Sequence, residues 1–429
     1  MLRRVVVTGV SVVAPNGVSV EEFFKNSLAG KCFIKEYKPD FSEIKSRIVG
    51  RIAEFDQLLL DLKLTDFGEA DRYLVLALAC AKQAILDANL TNGEGLLDSG
   101  VRSEDVGVTF ATAIGGTSTM EKVFAELTNK GLVDLPLNEL RDNLYDAAMF
   151  NSVASRIGSM IGAMNACQTI STGCTAGLDA IGHAFETVAI GDARVMIVGA
   201  AEAPITGITF ASFDIVGALS KRNDDPARAS RPFDGERDGF VLSEGAAFFV
   251  LEDLEHAMIR GANIIAEIVG FSSSNNAYHM TDLPRDGEAL GKALMNLPNE
   301  AGDLWDSIDY INGHGSSTLQ NDIFETNAYK RAFEAKAYNI PISSTKSMIG
   351  HPLSAASAIG TVAAILAITH NVLFPTINYE TPDPECDLDY IPNQYREASV
   401  EKVVVTASGF SGIHSALLLE QFIGGEKVC

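Results

Sequence analysis

The sequence predicts an α/β fold with largely parallel, buried sheets, and three observations carry that reading. Apolar strand segments alternate with helical ones along the whole chain. The second part loosely echoes the first: Ile264 to Gly270, followed by Ser272, Ser273 and Ser274, repeats the outline of Val5 to Ser11. Between them a strand, a tight glycine turn and a helix follow one another around Cys174, and in α/β sheets sites collect at such strand ends.

Arg4 to Thr8 opens the fold as a strand, and Pro15-Asn16-Gly17 turns the chain. Ser19-Val20-Glu21-Glu22 is a capping box that starts a helix running to about Gly30. Residues 31–70 show no strong period and read as loops and short strands. Asp71 to Asn89 is a helix apolar on nearly every face, hence buried. Val106 to Ala113 is a strand ending at the turn Gly115-Gly116-Thr117, and Met120 to Met149 reads as helical and mixed in character. Ala166 to Ile170 is β-compatible; Leu178, Ile181, Phe185 and Val188 then share one face of a helix that Gly191 stops. Val195 to Gly199 is a strand. Lys221 to Asp238 is dense in Arg and Asp, and is either a solvated surface or a buried ion network beneath a site. Phe240 to Leu251 is strongly apolar. Further on, strands are expected at Asp309 to Ile311, Ile342 to Ser344 and Val403 to Ser408. Helices are expected at Asp322 to Phe333 and at Ser354 to Thr369, the latter rich in Ala and Gly for close packing.

The 429 residues suffice for a large core or two packed domains. A net charge of −23 argues against a nucleic-acid partner bound through a broad basic surface. Cys32, Cys80, Cys167, Cys174, Cys386 and Cys429 form no CxxC pair and cluster with no histidines along the chain, which suits a reduced, cytoplasmic protein without a structural metal. The N-terminus lacks a signal-peptide run, and the most apolar stretch, Leu74 to Ala81, breaks at Lys82, too short to span a membrane.

Cys174 stands in Ser171-Thr172-Gly173-Cys174-Thr175-Ala176-Gly177, where the free N–H groups and the positive dipole end of the helix favour thiolate. The other reading is a small buried residue packing the junction. His314 in Asn312-Gly313-His314-Gly315, His351 in Gly350-His351-Pro352 and Phe410 in Gly409-Phe410-Ser411-Gly412 also follow buried strands beside glycine. Lys346 is either functional or a surface lysine, and Glu325 becomes a partner of His314 if it is buried. A zinc site of Cys and two His lacks a further sulfur or carboxylate ligand in the pattern. His183, His256, His279, His370 and His414 lack this context and read as structural.

Over essentially its whole length the chain resembles the β-ketoacyl-acyl-carrier-protein synthases of the thiolase fold, and among them the ketosynthase-alpha subunits of type II aromatic polyketide synthases. The resemblance rests on the Cys174 elbow through Asp179, Arg222-Asn223-Asp224-Asp225-Pro226, Ala229 to Asp234, Arg237 to Leu242 and Asn276 to Thr281. His314 to Thr318, Gln320-Asn321-Asp322 and Lys346 to His351 complete it. It implies two pseudo-duplicated βαβαβαββ halves, residues 1–257 with the cysteine and 258–429 with the histidines, in a five-layered α-β-α-β-α core. It also implies an elongating enzyme that condenses malonyl units onto a Cys174-bound chain. His314 and His351 then assist decarboxylation and stabilise the enolate, and Lys346 and Glu325 form a supporting ion pair. The N–H groups of Cys174 and Phe410 make an oxyanion hole, with Phe410 as gate. No cofactor is implied beyond the phosphopantetheine of a separate acyl carrier protein. A chain-length-factor (ketosynthase-beta) homologue is the implied heterodimer partner, meeting the chain near Ala166 to Ile170.

The chain departs from the family pattern in three places. Ser411 stands where relatives commonly carry glycine, Pro352 where many aromatic ketosynthases carry serine, and Gly68-Glu69-Ala70 where basic carrier-docking residues are common. A fatty-acid elongating synthase and a non-condensing partner subunit remain as alternatives, Cys174 arguing against the second. A thiolase would carry a second catalytic cysteine where Gly409-Phe410 stands.

Overall fold

The computed structural model describes residues 2–38, 43–53, 55–64, 70–92, 97–98, 100–142, 144–298 and 307–424. Gly68 and Glu69 of the expected docking position, and Cys429, lie outside the described residues.

To the ten-stranded sheet among the described residues the first half contributes five strands, β1 (Val5–Val13), β2 (Val106–Ala111), β3 (Cys167–Ile170), β4 (Val195–Glu202) and β5 (Gly245–Asp253). The second contributes β6 (Ala266–Asn275), β7 (Tyr310–Asn312), β8 (Ile342–Ser343), β9 (Lys402–Ser408) and β10 (Ile413–Glu420). The spatial order is β3-β2-β4-β5-β1 in one half and β8-β7-β9-β10-β6 in the other, the same order when each half is counted from its own first strand. Three antiparallel pairs from Val5↔Ile268 to Val7↔Ala266 join them. The sheets are mixed rather than largely parallel. β3, β2 and β4 run parallel, as do β8, β7 and β9, while the last two strands of each order pair antiparallel.

Helices fill the matching gaps. In the first half they are α1 (Val20–Leu28), α2 (Arg72–Asp87), α3 (Ser152–Ile161) and α4 (Ala176–Ile190). In the second they are α5 (Glu288–Met295), α6 (Leu319–Phe333) and α7 (Ala355–His370). With α1 and the shorter helical segments of the connecting loops set aside, each half reads βαβαβαββ. α4 and α7 pack on one another between the halves, with α2 and α3 outside the first sheet and α5 and α6 outside the second, so five layers result. α7 is buried along almost its whole length, as its small residues allow.

Local chemistry explains the elements. The Ser19 hydroxyl accepts from Glu22 N at 3.2 Å, and Glu22 reaches back to Val18 N at 3.0 Å. β1 runs on past Thr8 because Gly9 lets α2 approach; a Cβ there would stand 2.3 Å from Ala84 O. The long helix expected over Met120 to Met149 is broken into Thr117–Leu127, a 3₁₀ turn at Leu137–Glu139, and Leu144–Ala148. Asn129, Lys130 and Gly131 have positive φ, and Pro136 brings no N–H and bars its predecessor from helix. The Arg/Asp run divides: Lys221, Asp224, Asp225 and Arg228 are exposed, whereas Arg231, Asp234 and Arg237 are buried. Arg231 pairs with Asp234 at 2.8 Å and Arg237 with Asp383 at 2.7 Å.

Candidate functional site

Four loops at the carboxyl ends of β3, β7, β8 and β9 meet over a cavity of about 210 Å³ lined by Cys174, His314, His351, Ser408, Gly409 and Phe410 among others. The sequence placed its candidates on these same loops.

Cys174 sits in the turn between β3 and α4, where Gly173 has φ +71°. Asp179, one helical turn on, accepts from Thr175 Oγ1 at 2.8 Å and from the hydroxyls of Thr172 and, across the fold, Ser415. The elbow is thus clamped on both sides of the cysteine. Gly177 permits the contact of α4 with the start of α7, since a Cβ would stand 2.5 Å from Ser354 O. The helix start does not produce a ready thiolate. Burial pushes the Cys174 thiol up to about 11; Lys346 and the N–H groups of Phe410 and Cys174 itself pull the other way, and buried Glu202 adds to the rise. Both N–H groups lie close enough to the thiol to favour its charged form.

Glu202 was not singled out from the sequence. It accepts from Thr112 Oγ1 at 2.9 Å, Ala113 N at 2.7 Å and Ser354 Oγ at 2.5 Å, tying the ends of β2 and β4 to the segment before α7.

The His314 loop is held by its backbone. Glu325 on α6 accepts from His314 N at 2.6 Å and Gly315 N at 2.7 Å, and Lys346 Nζ donates to His314 O at 2.5 Å. Among the described residues Lys346 and Glu325 make no direct ion pair within 4.0 Å; the peptide of His314 stands between them, which corrects the expected pairing. Asp322 adds bonds from Phe233 N at 2.7 Å and Ser316 N at 3.1 Å, with Arg237 at 3.7 Å, so the buried half of the charged run supports this loop. Burial brings Lys346 down to about 8.

His351 is fixed through Val241 O, which accepts from His351 N at 2.7 Å, and through Ser243 N, which donates to His351 O at 3.2 Å. Its ring stands edge-to-face to His314, centroids 5.2 Å apart, and to Phe240, also 5.2 Å. Its Nδ1 is buried with no hydrogen-bond partner. Burial, and the nearby Lys346 cation, hold both imidazoles well below their ordinary value, so both are neutral.

Phe410 stands on the loop between β9 and β10, its ring 6.1 Å from Phe213. Ser411 after it has φ +70°, a region that favours glycine. Its N–H donates to Met280 O at 2.6 Å and its hydroxyl to Met280 Sδ at 3.1 Å.

Residues 2–257 match the model of the β-ketoacyl synthase N-terminal domain, and residues 265–380 that of its C-terminal domain. The chain is 43% identical over 421 residues to the ketoacyl synthase alpha subunit of the tetracenomycin polyketide synthase of Streptomyces glaucescens, covering 97% of each chain. Among solved structures it is similar, at 42% identity and a TM-score of 0.91, to the ketosynthase of a type II polyketide synthase acyl-carrier protein in complex with its ketosynthase bound to the hexaketide. That match covers 99% of this chain and 100% of the other. It is also similar to the ishigamide ketosynthase/chain length factor, at 28% identity and a TM-score of 0.87, over 99% of this chain and 100% of that one.

Proposed function

The chain belongs to the β-ketoacyl synthase family, and from that premise we propose that it elongates poly-β-ketone chains as the condensing subunit of a type II polyketide synthase. One observation carries the reading: Cys174 shares a cavity with His314 and His351, whose rings stand edge-to-face 5.2 Å apart, and with Phe410.

Cys174 takes the chain first. Its Sγ attacks the carbonyl of a thioester carried on the phosphopantetheine of a separate acyl carrier protein. The thiol proton goes to the departing pantetheine sulfur, and the Cys174 and Phe410 N–H groups hold the oxygen while it is negative. A malonyl thioester then enters beside His314 and His351. Its carboxylate leaves as CO₂, and the electron pair of the broken C–C bond becomes an enolate held by the imidazole N–H groups. A neutral imidazole suits this task, being a donor that costs less to bury than a cation. The enolate carbon attacks the Cys174-bound carbonyl, a C–C bond forms and the C–S bond breaks. Sγ leaves as thiolate and takes a proton from solvent. The chain, longer by the two-carbon unit, now sits on the carrier.

Glu325 and Lys346 serve this scheme by fixing the His314 peptide, and Phe410 covers the acyl side of the cavity. No cofactor is assigned to the chain itself. We place the enzyme in the cytoplasm, paired with a chain-length-factor homologue; no helix among the described residues is long and apolar enough to cross a membrane.

The test is reconstitution with carrier, malonyl units and the candidate partner, reading product length by mass spectrometry. Unreduced poly-β-ketone chains are expected. A single condensation confined to saturated acyl chains overturns the reading in favour of a fatty-acid synthase.

A further inference from the structure

His414 is a buried imidazole that the condensation scheme does not use. It lies on β10 opposite Ser408 of β9 and stacks on Phe324, centroids 4.6 Å apart. Its two ring nitrogens have different partners: Nδ1 is 3.0 Å from Ser408 Oγ, and Nε2 is 3.3 Å from Asn276 Nδ2. The Asn276 amide is oriented by its other end, where Oδ1 accepts from Tyr278 N at 3.0 Å. Nδ2 is therefore the donor toward His414, and Nε2 must accept. Burial brings the His414 imidazole down to about 4, so it carries a single ring proton near neutral pH. That proton belongs on Nδ1, which donates to Ser408 Oγ.

The consequence falls on Ser408. Its oxygen accepts from His414, and its own O–H proton meets no acceptor among the described residues. Ser408 is buried, it lines the reaction cavity, and the next residue, Gly409, abuts Cys174: a Cβ on Gly409 would stand 3.4 Å from Cys174 N. Ser408 thus stands in the cavity wall, one residue before the backbone that abuts the nucleophile, with its hydroxyl proton uncommitted.

We propose that Ser408, with His414 as its positioning residue, donates a hydrogen bond to the β-oxo oxygen of the chain held on Cys174 and so selects β-ketoacyl over saturated chains. The inference rests on the condensing reading above. A saturated chain offers no acceptor there and leaves the hydroxyl unsatisfied, which is the asymmetry that makes such a donor selective.

The experiment compares acetoacetyl with butyryl primers, each supplied on carrier, in the complete enzyme with its partner. The reading is the ratio of the two kcat/KM values for malonyl condensation. Ser408→Ala is expected to lower the acetoacetyl-to-butyryl ratio by about tenfold, the scale of one hydrogen bond. His414→Leu should lower it likewise, and the double variant should fall no further than either single one. His414→Gln, whose amide also donates, should restore most of the ratio. A wild-type ratio in Ser408→Ala, or an equal fall for both primers, overturns the assignment. Failure of the wild-type enzyme to condense either primer would instead overturn the condensing reading itself.

Discussion

Lys346 and Glu325 grip opposite sides of one peptide: the ammonium donates to the carbonyl of His314, and the carboxylate accepts the N–H groups of His314 and Gly315. Neither makes a hydrogen bond to the imidazole. Glu325 acts through where that backbone holds the ring, and Lys346 adds its charge, which lowers both imidazoles and opposes the rise of the Cys174 thiol.

Removing the carboxylate therefore loosens His314 without altering the nucleophile. Glu325→Ala should lower the decarboxylative step by about ten- to a hundredfold, because two buried N–H groups lose their acceptor and the ring loses its position. Acylation of Cys174 by a carrier-bound chain, followed by intact-protein mass spectrometry, should persist. Loss of both steps together would mark Glu325 as a folding residue only.

In the proposed mechanism His314→Ala and His351→Ala each delete one donor to the enolate. Each should cost about a hundredfold in condensation while acyl-Cys174 still forms. A variant that condenses at the wild-type rate removes its histidine from the mechanism.

The cysteines order themselves differently from what a helix start alone suggests. With its thiol near 11, Cys174 holds only about one part in a thousand as thiolate at pH 8, rising about tenfold per pH unit. Lys346 opposes that rise, so Lys346→Met should slow iodoacetamide modification of Cys174 further at pH 7 to 8. Exposed Cys167 should compete for the reagent in the isolated chain. Cys174→Ala should abolish acyl loading; an acyl group mapped to any other cysteine would remove it as the nucleophile.

Acid should weaken the fold through His414. Its value is about 4 folded against about 6.5 unfolded, so between those pH values the unfolded chain binds more protons and stability falls as pH falls. The full contribution is on the order of 3 kcal/mol, reached near pH 4. Asp179, Glu202, Asp322 and Glu325 are raised by burial and act in the opposite sense. The His414 share is isolated by comparing urea midpoints of wild type and His414→Gln from pH 7 to 4. The variant's midpoint should fall less on acidification; parallel curves would deny the group a depressed value.

The site was legible where its signal was local. Strand, glycine turn and helix around Cys174 are written within some twenty residues, and the loops of His314, His351 and Phe410 each follow a short apolar run into glycine. The mixed sheet was less legible, because the antiparallel return of β5 on β4 and of β6 on β10 is a long-range pairing with no local mark. Arg231, Asp234 and Arg237 look like their exposed neighbours until Asp322 and Asp383 are folded against them. His414 carried no signal, since one partner lies 138 residues away at Asn276 and the other, Ser408, has no motif of its own. Pro136 is a local mark against the helix expected across it, since it lacks an N–H and bars its predecessor from helix.

The edge of the first sheet bears on assembly. β3 pairs with β2 on one side only, and Cys167 on it is exposed. Thr169 Oγ1 donates to Phe150 O at 3.0 Å, which brings the end of the broken segment to this edge; the segment itself exposes Leu132, Val133, Leu137 and Tyr145. Open strand edges and apolar patches of this kind favour a lasting partner. The expected partner is a nucleophile-lacking homologue of the same fold. On the proposed reading, a second subunit at this edge would shape the space for a chain growing from Cys174, which follows this strand. Co-expression followed by native mass spectrometry should give a one-to-one complex in which Cys167 is protected from iodoacetamide and which builds full-length chains. On the proposed reading an acidic carrier docks on a chain of net charge −23 through local Lys and Arg clusters, so condensation is expected to weaken as salt rises from 50 to 500 mM. A soluble homodimer that makes full-length poly-β-ketones by itself would refute the heterodimer. Cys167 labelled equally in the free chain and the complex would move the interface away from β3.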